Sequence, residues 1–359
     1  MADQSRQQVK RQRLSPRATA ADAAAVQQGG ASPRKQQQSA QQQAGQQPKQ
    51  QQERKSKAIV MPTPVRPPTV PTDPAAWENA VLLIDKPQEW TSFDVCGKLR
   101  GALAALLKKK NRDVKVGHAG TLDPMATGLL IVCVGKGSKA VDAFMAMTKE
   151  YSGTLRLGEG TPSLDAETPV DERLPWEHIT DEELLAARDG FLGEIQQLPP
   201  MYSAIKVGGK KLYEAARKGK EVERQPRTIT VERFHLRRDE ADRQSVHFSV
   251  VCSKGTYIRS LAADLGRALG TAAHLTALRR EAIGEYSVQG SWQIQDLADQ
   301  VHKLRLEQKQ QQQEGAATAA GSAAAAAGEG QAAATADAEA PAAEPPAVQQ
   351  MGAAAEAET

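Results

Sequence analysis

Apolar positions recur with a regular rhythm between about residues 81 and 306, and lose it before about 78 and after about 307. Val81–Ile84 reads as a short strand, stopped by Asp85-Lys86-Pro87. Thr91 or Ser92 then caps a helix to about Leu107, with apolar residues at Phe93, Cys96, Leu99 and Leu103. Val114–Val116 is another short strand. Gly117 to Gly128 is a loop, Leu129–Val134 a buried strand, and Ser138 caps a helix through Met147. From Tyr151 to Leu157 apolar and polar residues alternate, as in a half-buried strand. Thr180 and Glu183 form a capping box for a helix over 181–191. Tyr202–Val207 reads as a strand, Gly208-Gly209 as a turn, 211–218 as a helix, and 227–236 and 245–252 as strands. Tyr257–Leu269 is amphipathic, with Ile258, Leu261, Leu265 and Leu269 on one face. Strands and helices mix without regular βαβ alternation, which predicts an α+β fold.

The ends differ in composition from this middle. Residues 1–78 are rich in Gln, Ala, Pro and Arg, and the tail in Gln, Ala, Gly and Glu. Neither buries enough apolar surface to offset backbone ordering, so both are expected to be disordered. Residues 1–80 carry 12 Lys/Arg against 5 Asp/Glu, while 307–359 carry 1 against 8, so the net charge of +3 conceals a basic arm and an acidic tail. A basic arm suits a polyanion such as RNA, or is simply a solvated tail.

The three cysteines, Cys96, Cys133 and Cys252, are far apart and form no CxxC, which excludes a disulfide scaffold and a Cys-rich zinc site. The six histidines are scattered, so no metal site is expected. The longest apolar run, Gly128 to Gly135, is of strand length, so no membrane span is expected. The start lacks a secretory apolar region. Its Arg- and Ala-rich character loosely fits an organellar transit peptide, although Asp3 opposes this and Lys10 to Arg13 reads equally as a weak nuclear signal. The expected location is a plastid or mitochondrion, with cytoplasm or nucleus as the alternative.

Three patches concentrate chemistry. In Gly117 to Gly128, Asp123 is the only carboxylate between Asp113 and Asp142, fixed by Pro124 and surrounded by small residues. It is a candidate nucleophile or base, or an ordinary turn aspartate capping its own backbone. In Lys254 to Ser260, Tyr257 and Arg259 lie at a strand-to-helix junction, facing a cleft or pairing with Asp264 on the surface. Between Lys206 and Arg227 a run of Lys/Arg that includes Arg217 suits phosphate contacts or a basic surface helix. No GxGxxG and no GxxxxGK[ST] occurs, so no dinucleotide or P-loop cofactor is expected.

Taken in order, five segments resemble the TruB family of tRNA pseudouridine synthases. They are Leu83-Ile84-Asp85-Lys86-Pro87 with Trp90-Thr91-Ser92; Val116 to Pro124 with Ala126-Thr127-Gly128; Lys149-Glu150-Tyr151; Gln197 to Ala204; and Lys254 to Arg259, followed by the Leu275 to Arg280 stretch. The resemblance implies a pseudouridine synthase fold, with a mixed, mostly antiparallel central sheet, flanking helices and an active-site cleft. It implies a catalytic domain over 79–300 between an arm at 1–78 and a tail at 301–359, without a recognisable PUA domain. It implies Asp123 as catalytic aspartate, Arg259 as its partner, Tyr257 as a second active-site tyrosine, Tyr151 as the aromatic stacking on the target base, and His118 as a residue holding flipped-out RNA. Lys206 and Arg217 complete the expected RNA contacts. The implied reaction converts uridine to pseudouridine, most simply position 55 in the T loop of tRNA, with no cofactor, no guide RNA and a monomeric enzyme. The residues are compatible with attack of Asp123 on C1′, addition to C6, or removal of the 2′ proton. A non-catalytic RNA-binding protein on the same scaffold and a synthase acting mainly on mRNA are the alternatives. Glu89 departs from the family, which usually has a small residue or glycine there.

Overall fold

The computed structural model describes residues 61–329, with side chains to residue 320. The arm through residue 60, with its targeting signals, and the tail from 330 lie outside the described residues. β1 (Val81–Lys86) leads to α1 (Ser92–Leu106); β2 (Val116–His118) and β3 (Thr127–Val134) flank the glycine-rich loop; α2 (Val141–Ala146) precedes β4 (Lys149–Leu157). The pair β5 (Glu159–Gly160) and β6 (Glu172–Arg173), then α3 (Asp181–Asp189) and β7 (Gly193–Gln197), follow. β8 (Lys206–Val207) and β9 (Lys210–Lys211) form a separate hairpin before α4 (Leu212–Ala216). The chain continues through β10 (Arg227–Arg238), β11 (Ser245–Cys252), α5 (Ile258–Ala268), β12 (Ala273–Ile283), β13 (Tyr286–Ser287), β14 (Trp292–Gln293) and α6 (Ile294–Glu329).

Ten strands make one sheet in the order β14-β1-β3-β12-β4-β11-β10-β7, with β13 beside β12 and β2 beside β3. Among the described strands, only β1–β14 and β3–β12 pair in parallel. Both faces of β1 and β3 are covered. Leu82, Ile84, Leu130 and Val132 pack under α1 and α6, while Val81, Leu83, Leu129 and Ile131 pack against Phe144, Ile283 and Tyr286 on the other side. This double burial explains the unbroken apolar run before Gly135. β4 and β11 instead bury one face, against α5 and α3, so their sequences alternate.

The two halves of the sheet meet where Thr127 and Gly128 of β3 pair with Arg279 and Arg280 of β12. Gly128 has φ +101, and a Cβ there would lie 2.3 Å from the Arg280 carbonyl oxygen, so only glycine permits this approach. The glycine-rich loop enters β3 at this seam.

Several expectations need correction. The arm does not end at 78: Val65 donates its N–H to the Val81 carbonyl (2.7 Å), and Trp77 is fully buried. This stretch packs as extended chain and a 3-10 turn over Pro74–Asn79, which leaves no helical or strand periodicity to read. At the other end, helix continues through the Gln- and Ala-rich segment to Glu329, where disorder was expected from about 307. Ala, Gln and Glu are strong helix formers, and a helix satisfies its own backbone without an apolar face. Lys108 Nζ also donates to Gln312 Oε1 (2.7 Å), joining this extension to the end of α1.

Thr91 caps α1 through a capping box with Asp94, but Phe93 leaves the buried face and is 70% exposed. At 100° per residue, Phe93 lies about 100° from the mean direction of the seven buried residues Ser92, Val95, Cys96, Leu99, Leu103, Ala104 and Leu106. Ser138 does not cap α2; its hydroxyl donates to the Gly135 carbonyl inside a 3-10 turn over Gly135–Ala140. The strand expected from Tyr202 is confined to Lys206–Val207, because the chain at 201–204 bends toward Arg259.

Candidate active site

Asp123 follows a loop held by three buried polar side chains. Arg280, 1% exposed, donates from Nε to the Leu129 carbonyl (2.7 Å) and from Nη2 to the Gly120 carbonyl (3.2 Å). Ser92 accepts from the Leu122 amide (2.9 Å) and donates back to the Leu122 carbonyl (3.2 Å). Lys86 is fully buried, and its Nζ donates to the carbonyls of Pro87 (2.9 Å), Trp90 (2.6 Å) and Pro124 (3.3 Å). Desolvation pushes its pKa down to about 8, although Asp123 acts in the opposite direction. Glu89, the departure noted in the sequence, adopts φ 67 and donates its N–H to the Pro124 carbonyl (2.8 Å). A left-handed backbone at this point explains why a glycine fits there well.

Arg259 meets Asp123 from α5. Its Nε lies 2.9 Å from Asp123 Oδ2 and 3.4 Å from Asp165 Oδ2. Nη1 donates to the Ser163 carbonyl (2.9 Å) and Nη2 to the Tyr202 carbonyl (2.8 Å). The guanidinium is thus fixed by both carboxylates and two carbonyls, with Arg259 only 5% exposed. Asp165 is itself oriented by the Ser163 hydroxyl (2.6 Å) and the Glu167 amide (3.0 Å), both donating to Oδ1. The Asp123 side chain keeps 32% exposure, so its carboxylate remains accessible from solvent. Desolvation raises its pKa most, Arg259 lowers it, and the Asp165 charge raises it again.

Two tyrosines stand near this carboxylate. Tyr151 on β4 is opposite Arg280 in register and nearly buried; desolvation raises its pKa, and an Arg280 hydrogen bond opposes the rise. Tyr257 precedes α5. Its backbone is clamped by Gln197, which accepts from the Tyr257 amide (2.8 Å) and donates to its carbonyl (3.1 Å). Burial raises the Tyr257 pKa, and the charge of Asp123 acts in the same direction. His118 closes β2 beside the loop, its pKa lowered mainly by burial and then by Arg280.

Lys206 and Arg217 are exposed and have no direct contact with Asp123. They lie on the β8–β9 hairpin and at the end of α4, in a stretch from Lys206 to Arg227 that carries eight Lys/Arg and is joined to the site through Tyr202 and Arg259. Arg217 and Lys211 both lie over the Tyr213 ring, 5.4 and 5.3 Å from its centroid.

Sequence reasoning missed four of these site-building residues. Lys86, Gln197 and Arg280 stood inside quoted segments without a role. Asp165 stood in none; its only signal was the Ser163-Leu164-Asp165 turn, an acid next to a hydroxyl that can orient it.

Comparison with known proteins shows the family of the chain. The TruB family pseudouridylate synthase N-terminal domain matches residues 106–258, and the tRNA pseudouridylate synthase B C-terminal domain matches 259–314. The chain is 51% identical over 208 residues to tRNA pseudouridine synthase B of Parabacteroides distasonis, covering 58% of this chain and 87% of that protein. It is 44% identical over 231 residues to tRNA pseudouridine synthase B of Phocaeicola vulgatus, covering 64% of this chain and 97% of that protein. Among solved structures it resembles the Cbf5–Nop10–Gar1 complex, with TM-score 0.46 and 27% identity, covering 64% of this chain and 56% of the solved one. The chain is a member of the TruB family of pseudouridylate synthases.

Proposed function

We propose that this protein isomerises uridine to pseudouridine in tRNA, at position 55 of the T loop. The observation that carries the reading is the Asp123–Arg259–Asp165 arrangement, with the Asp123 carboxylate accessible from solvent and Tyr151 near it. Support for the substrate comes from the names of relatives matched over 87% and 97% of their length.

An internal uridine is reached only after extrusion from the RNA stack, which needs stacking surfaces and phosphate contacts near a reactive group. Tyr151 and Tyr257 offer the first, and the cationic segment carrying Lys206 and Arg217 offers the second. The C1′–N1 bond breaks, the uracil turns, and C1′–C5 forms. N1 takes up a proton as C5 loses its own, so the product is an isomer and no electrons are exchanged. Asp123 supplies the carboxylate for this sequence. Arg259 holds it in one direction and favours its ionised form against the burial that opposes ionisation. The protein works on tRNA directly as a monomer, without a guide RNA. We place it in an organelle on the Arg- and Ala-rich character of its start.

The test is conversion of a T-stem-loop RNA, followed by release of label from C5 of the target uridine. Asp123→Asn is expected to abolish release while RNA binding stays within about tenfold, or about 1.4 kcal/mol. Turnover by the Asn variant at the wild-type rate would remove Asp123 from the chemistry.

A further inference from the structure

Phe93 is the most exposed large hydrophobic side chain among the described residues, at 70%. One isolated apolar side chain at a surface is ordinary. Phe93 is distinguished by where it stands and what braces it. It follows Ser92, whose hydroxyl is bonded to both the amide and the carbonyl of Leu122, the residue before Asp123. Its ring meets the His118 imidazole edge-on, with centroids 5.1 Å apart and planes at 77°. The His118 side chain is itself partly buried, with its Nδ1 enclosed by the protein, so the edge it offers the ring is held in place.

The helix does not require an aromatic here. α1 buries Ser92, Val95, Cys96, Leu99 and Leu103 without Phe93, and the first helical turn favours acidic or small polar residues. A rigid ring with an open face at the rim of a site that must receive an extruded nucleotide has an evident use. Every base has a π-face, and extrusion of one nucleotide leaves its neighbours without a stacking partner.

We propose that Phe93 is a base-stacking, substrate-positioning residue. Its open face receives an unpaired base of the substrate RNA adjacent to the extruded uridine, and His118 braces its edge. This rests on the RNA-modifying reading above, and conversion of the same hairpin by the wild-type chain separates failure of the one from failure of the other.

The experiment measures the Kd of a T-stem-loop RNA for the full chain, for Phe93→Ala, Phe93→Leu and Phe93→Trp, and for each in a His118→Ala background. Ala and Leu are expected to weaken binding about 5- to 150-fold, the range for loss of one base–aromatic stack, and Trp to stay within about threefold of wild type. The slope of log Kd against log salt should not change, because no phosphate contact is lost; removal of a lysine contact would change it by about one. Phe93→Ala should still weaken binding when His118 is already alanine. The proposal is overturned if Ala binds as wild type, if Leu serves as well as Trp, or if the loss vanishes in the His118→Ala background. That last result would make Phe93 only a brace for the imidazole.

Discussion

Replacing Arg259 by Lys keeps a positive charge and removes the fork, which makes it the sharpest test of how the site is held. Four acceptors surround the guanidinium: Asp123 at 2.9 Å, Asp165 at 3.4 Å, and the carbonyls of Ser163 and Tyr202 at 2.9 and 2.8 Å. The Asp123 contact alone corresponds to about 6 kcal/mol of Coulomb attraction at an effective dielectric of 20, before desolvation is charged against it. A lysine ammonium is a point donor and cannot span all four acceptors. Leaving the two carbonyls unpaired costs roughly 1–3 kcal/mol each, whereas removing the charge altogether in Arg259→Ala costs about 3–5 kcal/mol. Misplacement of the carboxylate by about 1 Å is worth about 100-fold in rate. Arg259→Lys is therefore expected to lower the single-turnover rate about 100-fold with RNA affinity within about threefold, and Arg259→Ala to lower the rate further. The pH profile supplies an independent check. Activity that needs ionised Asp123 rises with pH through its pKa. Arg259 lowers that pKa, so Arg259→Ala should move the acid limb upward; Asp165 raises it, so Asp165→Asn should move the limb downward. C5 label release across pH reads both shifts. A Lys variant with the wild-type rate, or acid limbs that move in the same direction in the two variants, would refute this account of the site.

Lys86 should set an alkaline limb: with its pKa near 8, activity is expected to fall above about that pH as the ammonium and its grip on the Pro124 loop weaken, and Lys86→Met should lose rate at every pH. A flat alkaline profile in single-turnover assays would separate Lys86 from the reaction. Gly128→Ala must accept φ +101 and a Cβ 2.3 Å from the Arg280 carbonyl oxygen, so a loss of about 2 kcal/mol or more in urea unfolding is expected. Glu89→Gly relieves a left-handed backbone that costs an ordinary residue about 1–2 kcal/mol, and the added chain entropy of glycine offsets part of this, so a net gain of about 0.5 kcal/mol is expected by the same measurement.

Local rules carried most of the architecture. The cap at Thr91, the capping box at Thr180, the alternation along β4 and the amphipathic face of α5 each depend on a few neighbouring residues, and each formed as read. The sequence failed where contacts are long-range. Asp165 reaches Arg259 across 94 positions, Arg280 reaches Gly120 across 160, and Trp292 Nε1 reaches the Val65 carbonyl across 227. None of these leaves a periodic trace. The pairing of Asp123 with Arg259 is equally distant, and it became legible only because the family resemblance placed the two segments together. Phe93 failed differently: it is apolar and near the right spacing, but the helix turns it about 100° from the mean direction of the buried residues. Composition also misled, because residues 61–79 dock through one tryptophan and a few aliphatics rather than through a repeated pattern.

That docking yields the last prediction. Trp77 is fully buried in the cluster beneath α1 and α6, with Val65 and Val70 packed beside it, and its Nε1 donates to the Pro71 carbonyl (3.0 Å). The Val65 amide also pairs with Val81 of β1. A chain that starts at residue 79 retains every segment of the family resemblance and loses all of these contacts. Truncating a buried tryptophan to alanine costs about 3–5 kcal/mol, so losing the whole segment should cost at least that much. For a body of this size each kcal/mol moves the midpoint by about 2–4 °C, so a chain of residues 79–329 should unfold roughly 10 °C below one of residues 61–329. Ending the chain at 306 should matter far less, because residues 309–320 are exposed and hold few contacts with the body. Thermal unfolding of the three chains decides between packing and composition. If the chains starting at 61 and 79 melt together, the segment carrying Trp77 contributes nothing to the fold, and the boundary inferred from composition was the better one.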